Sequence, residues 1–121
     1  MEVRRSSLLH HGDVFAALPS QPVQPLQNAR VAPEEIDFVL SWSVCPDLLE
    51  VPNACIVHEK LGLRPDVFSG AITGACSAFL AQLELAAGLI SSGRMRFGLL
   101  LQSNNVTRMI PKEASHSPWF G

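Results

Sequence analysis

The chain has 121 residues, of which 47% are hydrophobic and 17% are charged. Globular chains average roughly 25% charged residues, so this composition excludes a chain that is disordered throughout. The formal net charge of −2, from 9 basic and 11 acidic residues, excludes a strongly basic surface for nucleic acid. The 3 cysteines have no paired spacing, which argues against a secreted disulfide framework and favours the reducing cytoplasm.

Membrane and export signals are not expected. The longest apolar region, residues 71–90, is interrupted by Thr73, Ser77, Gln82 and Glu84. A membrane span needs about 18 apolar residues in a row, so this region is interpreted as buried interior. The first residues also lack the apolar stretch of about 7–15 residues that a signal peptide requires.

Residues 1–30 differ from the rest of the chain. Pro19, Pro22 and Pro25 fall at every third position. This spacing is typical of an extended polyproline stretch and excludes a regular helix there. The segment is predicted to be an irregular, proline-containing leader. Its alternative interpretation is a docking segment for a partner.

From Val31 onward the pattern becomes regular. A short helical turn is predicted at 33–35, because proline favours the first turn of a helix. Strand, helix, strand, helix and strand follow in that order, at residues 36–42, 52–61, 67–72, 77–91 and 97–101. Gly62 and Gly93 stand just past the two helix ends, where glycine is favoured. Apolar strands between helices predict an α/β fold with a mostly parallel sheet covered on both faces.

The helix predicted at 77–91 is apolar on nearly all sides. Glu84 is the single charged residue between Val67 and Ser92. A helix that is hydrophobic all round is buried all round. One α/β layer covers only one side of such a helix. We therefore expect more protein on its other side, either a second half or a partner subunit.

Cys76 lies between a predicted strand and this helix. Gly74 and Ala75 before it allow a tight turn, which places the cysteine at the helix N-terminus. The free N–H groups and the helix dipole there favour the thiolate, the nucleophilic form of cysteine. Cys76 is therefore a candidate nucleophile for covalent catalysis. The alternative is a small apolar residue that simply packs well.

The other cysteines and histidines carry weaker signals. Cys45 precedes Pro46 in a loop and is interpreted as a free thiol. Cys55 and His58 share a helix face, but two ligands do not make a zinc site, so we expect no metal there. His116 could serve Cys76 as a base, although its loop-like surroundings favour a surface histidine.

Several motifs, taken together, resemble the first half of a thiolase-fold condensing enzyme, with β-ketoacyl-ACP synthase III as the nearest likeness. Cys45-Pro46-Asp47 and the stretch from Pro52 to Cys55 resemble the family's "TPD…PSTA" loop and helix. Residues 74–79, Gly-Ala-Cys-Ser-Ala-Phe, resemble its "AACSGF" nucleophile motif. Further matches occur at 33–37, 61–62, 92–101 and 120–121, so the resemblance covers residues 31–121.

The resemblance implies one αβα half of a five-layered αβαβα fold, with the cysteine-bearing helix buried between two sheets. It implies that acyl-CoA loads its acyl group on Cys76, which then condenses with malonyl-ACP and releases carbon dioxide. Acyl-CoA and acyl carrier protein are the implied partners, and no cofactor is required. The family's catalytic His and Asn come from its second half, so they are absent from these residues. His116 does not align with that histidine.

Three functions stay open at this stage. The first is an acyl-accepting, condensing-enzyme chain that is incomplete by itself. The second is a non-catalytic thiolase-like half that pairs with another condensing-enzyme subunit. The third is a truncated, non-functional fragment. The resemblance also implies a homodimer, with the strand at Phe97–Leu101 near the dimer contact.

Overall fold

The computed structural model describes residues 2–3, 13–17, 23–44 and 46–103. Its strands are β1 (Glu2–Val3), β2 (Asp13–Ala17), β3 (Phe38–Ser43), β4 (Phe68–Ala71) and β5 (Phe97–Ser103). Its helices are α1 (Val23–Ala29), α2 (Asn53–Leu61) and α3 (Ala78–Ser91). Two short 3₁₀ turns, Pro33–Glu35 and Ala75–Ser77, precede β3 and α3. Each element predicted after Val31 is present.

The strands form one sheet in the order β1-β2-β5-β3-β4. All neighbouring pairs are parallel except β1 and β2. The predicted α/β fold with a mostly parallel sheet is therefore confirmed. β5 lies between β2 and β3, and both of its edges are paired. The dimer contact expected near this strand stays a prediction.

The sheet separates two apolar layers, because successive side chains of a strand point to opposite faces. On one face, Val39, Leu99 and Leu101 pack with residues of α1 and α2. On the other face, Phe38, Leu40 and Leu100 pack with Ala86 and Ile90 of α3. The result is the expected αβα arrangement, with the helix that follows Cys76 alone on its side of the sheet in the described part of the chain.

Gly98 makes room for the largest side chain of the α3 layer. Phe38 and Gly98 are directly paired residues of β3 and β5. A Cβ on Gly98 would lie 2.0 Å from Cζ of the Phe38 ring, and that ring is fully buried. The glycine is thus needed for space, so that the aromatic ring can lie across the neighbouring strand.

Asp37 ties three segments together at the opposite end of the sheet from Cys76. Its Oδ1 accepts a hydrogen bond from Nη2 of Arg64 at 2.8 Å. Its Oδ2 accepts the backbone N–H groups of Arg96 at 2.7 Å and of Phe97 at 3.2 Å. One half-buried carboxylate therefore holds the starts of β3 and β5 and the loop before β4 in a fixed relation.

The first thirty residues contain more regular structure than the sequence predicts. β1, β2 and α1 all lie in this segment, and β2 pairs with β5 in the main sheet. The prediction that the proline spacing excludes a helix is wrong for α1, which runs from Val23 to Ala29. Pro25 is its third residue, where a backbone N–H has no helical partner in any case. The division of the chain at residue 30 stays a prediction.

Candidate functional site

Cys76 is the middle residue of the 3₁₀ turn between β4 and α3, and it is exposed. The strand before it is fixed at both ends. Phe68 donates its N–H to the carbonyl of Asp37, and Ile72 donates to the carbonyl of Ser41 at 3.0 Å. Because β4 is held in this way, the turn that follows presents the Cys76 thiol at the carboxyl end of the parallel strands. Ligand sites of open α/β sheets occur at this end.

The backbone beside Cys76 is strained. Ala75 has a φ of 47°, in the left-handed region that residues with a Cβ rarely adopt. Such conformations cost about 1–3 kcal/mol and occur preferentially at functional sites. A non-glycine residue held in this conformation next to a candidate nucleophile supports a functional interpretation of the turn.

Close packing and two hydrogen bonds hold this turn. A Cβ on Gly74 would lie 3.3 Å from the backbone N and Cα of Ala78, so little space exists for a side chain there. The carbonyl of Gly74 accepts both the hydroxyl of Ser77 at 2.7 Å and its backbone N–H at 3.0 Å. The turn therefore has one closed shape, which fixes where Cys76 stands relative to α3.

The start of α3 offers hydrogen-bond donors. Ser77 occupies the N-cap position, but no side chain there accepts a hydrogen bond from the first turn, and that turn carries no acidic residue. The N–H of Ala78 donates to the carbonyl of Ala75 in the turn before the helix. The next N–H groups of the first turn have no acceptor within the helix, so they are the ones that can donate to an oxygen that develops negative charge during attack on a carbonyl.

A cavity of about 190 Å³ lies between the loop after β3 and the end of β4, and Cys76 is not among the residues that line it. Trp42, Leu48, Asn53 and Thr73 are among its lining residues. The N-terminus of α2 adjoins it, where the N–H of Ala54 donates to Oγ of Ser41 at 3.1 Å. Its walls are mainly apolar, so a hydrocarbon chain suits it better than a charged group.

The remaining candidate residues do not join Cys76. Cys55 is half-buried on α2, and Nδ1 of His58 lies 2.9 Å from Oγ of Ser69 on β4. No group of three or more metal-ligating side chains occurs in the described residues. Cys45 and His116 lie outside the described residues. The structure therefore tests neither of those two.

A buried residue and a half-buried one in this region were not given a functional role from the sequence. Gln82 of α3 is 0% exposed, and the side chain of Gln102 on β5 donates to its Oε1. Gln82 lies four residues after Ala78 and four before Ala86, and this spacing indicates that it shares the inner face of the helix with them. Gln102 follows an apolar strand run, and nothing in the local sequence indicates its partner.

Comparison of the sequence with known proteins finds β-ketoacyl-ACP synthases III. The enzyme of Clostridium perfringens strain 13 is 33% identical over 85 residues, which cover 70% of this chain and 26% of that protein. The enzyme of a Sulfurovum species is 34% identical over 86 residues, covering 70% of this chain and 25% of its own. This chain thus spans about a quarter of the length of the curated relatives it matches. No family model matches it.

Comparison of the structure finds OleA from Xanthomonas campestris. One variant of that protein superposes with a TM-score of 0.67 at 27% identity, over 71% of this chain and 25% of the other. Another variant, solved with lauric acid and lauroyl-CoA, superposes with a TM-score of 0.68 at 22% identity. That match covers 85% of this chain and 33% of the other. The chain therefore matches part of a thiolase-type fold. Within that fold its sequence is β-ketoacyl-ACP synthase III-like, which confirms the resemblance seen in its motifs.

Among the described residues, no helix is both long and apolar enough to cross a membrane.

Proposed function

We propose that this chain supplies the acyl-accepting part of a β-ketoacyl-ACP synthase III-type condensing enzyme, with Cys76 as the nucleophile. The observation that carries the proposal is the exposed Cys76 in a strained turn at the start of α3. The naming of its relatives as β-ketoacyl-ACP synthases III supports the same reaction class.

The first step is acyl transfer. The sulfur of Cys76 attacks the thioester carbonyl of acyl-CoA, and the N–H groups at the start of α3 hold the oxyanion. A new bond forms between that carbonyl carbon and the cysteine sulfur, and the bond to the CoA sulfur breaks. CoA leaves as its thiol with the proton that Cys76 gives up.

The second step uses malonyl-ACP. Loss of carbon dioxide leaves a carbanion, which attacks the acyl carbonyl on Cys76. A β-ketoacyl-ACP forms, and Cys76 is released as its thiolate, which takes a proton from water. The resemblance assigns help in this step to a His and an Asn of the family's second half. Acyl-CoA and acyl carrier protein are the proposed partners, together with a second thiolase-like half or a second copy, and no cofactor takes part.

Acylation of purified protein tests the first step. We expect incubation with acetyl-CoA or lauroyl-CoA to add one acyl group, which peptide mass spectrometry places on Cys76. Cys76→Ser should reduce the thioester adduct to background, because a serine hydroxyl at the same site is a far weaker nucleophile. Cys55→Ser is the matched control and should be acylated like the unchanged protein.

Labelling that stays on Cys45 or Cys55 in a folded chain would contradict the proposal. So would an adduct that survives in Cys76→Ser with unchanged yield.

A second function, a non-catalytic half that binds a condensing-enzyme subunit, is favoured by one observation. The outer side of α3 carries little charge, and its Leu80 is 64% exposed. Exposed apolar patches mark interaction sites. This function predicts association with a thiolase-like half and binding of an apolar dye by the isolated chain. A stable monomer that binds no dye and is acylated on Cys76 would exclude it.

A further inference from the structure

Four residues of α3, spaced at intervals of four, are buried and define its inner face: Ala78, Gln82, Ala86 and Ile90. Three of them are apolar, and Ala86 and Ile90 pack against Phe38, Leu40 and Leu100. Apolar packing is not directional. These contacts therefore hold the helix against the sheet, but they tolerate a small slide or rotation of it.

Gln82 is different, because its amide makes a directional contact. The Nε2–H group of Gln102 on β5 donates to Oε1 of Gln82. The side-chain hydrogen bonds of Ser77 and Ser92, at the two ends of α3, stay within their own turns. Within the described residues, the bond from Gln102 is thus the one hydrogen bond that joins α3 to the sheet.

The same pair contributes poorly to stability. Gln82 is completely buried, and its Nε2 has no hydrogen-bond partner. A buried donor without an acceptor carries the full cost of its lost hydration. A buried polar pair is satisfied in only one placement of its two elements, whereas apolar neighbours accept several. The pair is therefore better suited to fixing the position of α3 than to holding the fold together.

We propose that Gln82 and Gln102 are positioning residues, which seat α3 in one register on the sheet and thereby place Cys76 for acyl transfer. Gln82 stands less than two helical turns after Cys76, at 3.6 residues per turn. A rigid helix carries any displacement at Gln82 to the turn that holds the thiol. The inference rests on the proposed function of Cys76.

Gln82→Met tests this, because methionine has a similar shape without the polar atoms. The free energy of unfolding should stay the same or rise, since the unpartnered N–H is removed. The rate of acyl transfer from lauroyl-CoA at saturation should nevertheless fall by about tenfold, as misplacement of a reacting group lowers rate. The half-saturating concentration of lauroyl-CoA should not change. A purely structural role would lower stability and rate together.

Two further variants sharpen the result. Gln102→Met removes the same hydrogen bond from the half-buried side, so it should lower the rate equally, and the double variant should be no slower than either single one. Ile90→Met is the matched control, because Ile90 lies on the same face and is purely apolar. It should leave the acylation rate unchanged.

Hydrogen exchange separates this inference from the proposed function, since it needs no acyl transfer. Gln82→Met and Gln102→Met should speed amide exchange in the first two turns of α3 and leave β3 and β5 unchanged. Faster exchange in α3 of both variants, with no acylation of the unchanged protein, would support the role of the two glutamines in fixing α3 on the sheet. The same result would overturn the proposed role of Cys76 as the nucleophile. Equal exchange and equal acylation in all variants would overturn the inference.

Discussion

Gly98→Ala is expected to lower the free energy of unfolding by about 3 kcal/mol or more, at the upper end of what overpacking costs. The added methyl group would stand 2.0 Å from the buried ring of Phe38, which belongs to the neighbouring strand. Such a gap is far below contact distance, so the ring or one strand has to move. Urea denaturation of the unchanged and substituted proteins measures the loss.

Phe38→Leu tests whether the clash with the Phe38 ring is the cause of the stability loss in Gly98→Ala. Leucine removes the part of the ring that the new methyl group meets, so the combination of Phe38→Leu with Gly98→Ala should lose less stability than the two single losses added together. The stability losses of two substitutions do not add when the substituted side chains occupy the same space. Strictly additive losses would show that the Phe38 ring is not what Gly98 accommodates.

Asp37→Ala is expected to cost about 2–3 kcal/mol, since hydrogen bonds to a charged group contribute roughly 1.5–3 kcal/mol each and are not fully additive. The carboxylate accepts two backbone N–H groups, of Arg96 and Phe97, in addition to the side chain of Arg64. With alanine, the two backbone N–H groups lose this acceptor, whereas Arg64 keeps its hydrogen bond to the carbonyl of Ile36. Urea denaturation again gives the difference.

Arg64→Met separates the two kinds of contact that Asp37 makes. The Arg64 side chain is 43% exposed, and an exposed ion pair contributes at most about 1 kcal/mol. Arg64→Met should therefore cost far less than Asp37→Ala. Equal losses would contradict the view that the two backbone N–H groups are the main contribution of Asp37, since Arg64 also bonds the carbonyl of Ile36.

The helices and inner strands after Val31 could be predicted because their signals are local. Gly62 and Gly93 have φ values of 60° and 76°, and they end α2 and α3 where glycine is expected. β3 and β5 are apolar runs of the length that a covered parallel strand requires. The residue spacing and composition within each segment are therefore enough to predict these helices and strands.

The start of the chain could not be predicted in the same way. β2 is a short strand, and its place in the sheet depends on β5, at the other end of the described chain. Local pattern does not show such a pairing. α1 was excluded because proline breaks helix interiors, but Pro25 lies in the first turn, where that argument does not apply.

The candidate site was only partly predictable. Its motif identified Cys76 and its place before a helix, and the structure puts it there. The left-handed Ala75 was not expected, because alanine carries no signal for that conformation. The uniform apolarity of α3 predicts that further protein covers its outer side. Within the described residues one side of α3 is covered and Leu80 is exposed, so that expectation stays a prediction. The apolar composition of a helix shows which of its faces can be buried, but the protein packed against it determines which faces are buried.

The central place of β5 has a consequence for how the chain folds. Its neighbours β2 and β3 are both synthesised before it. Neither can form its parallel pairing with β5 until β5 itself has been synthesised. Contacts between residues far apart in the chain close slowly. During synthesis, β2 and β3 are thus left with an open edge until Ser103 has emerged. We expect this interval to be the point at which the nascent chain is most exposed to aggregation and most dependent on chaperones.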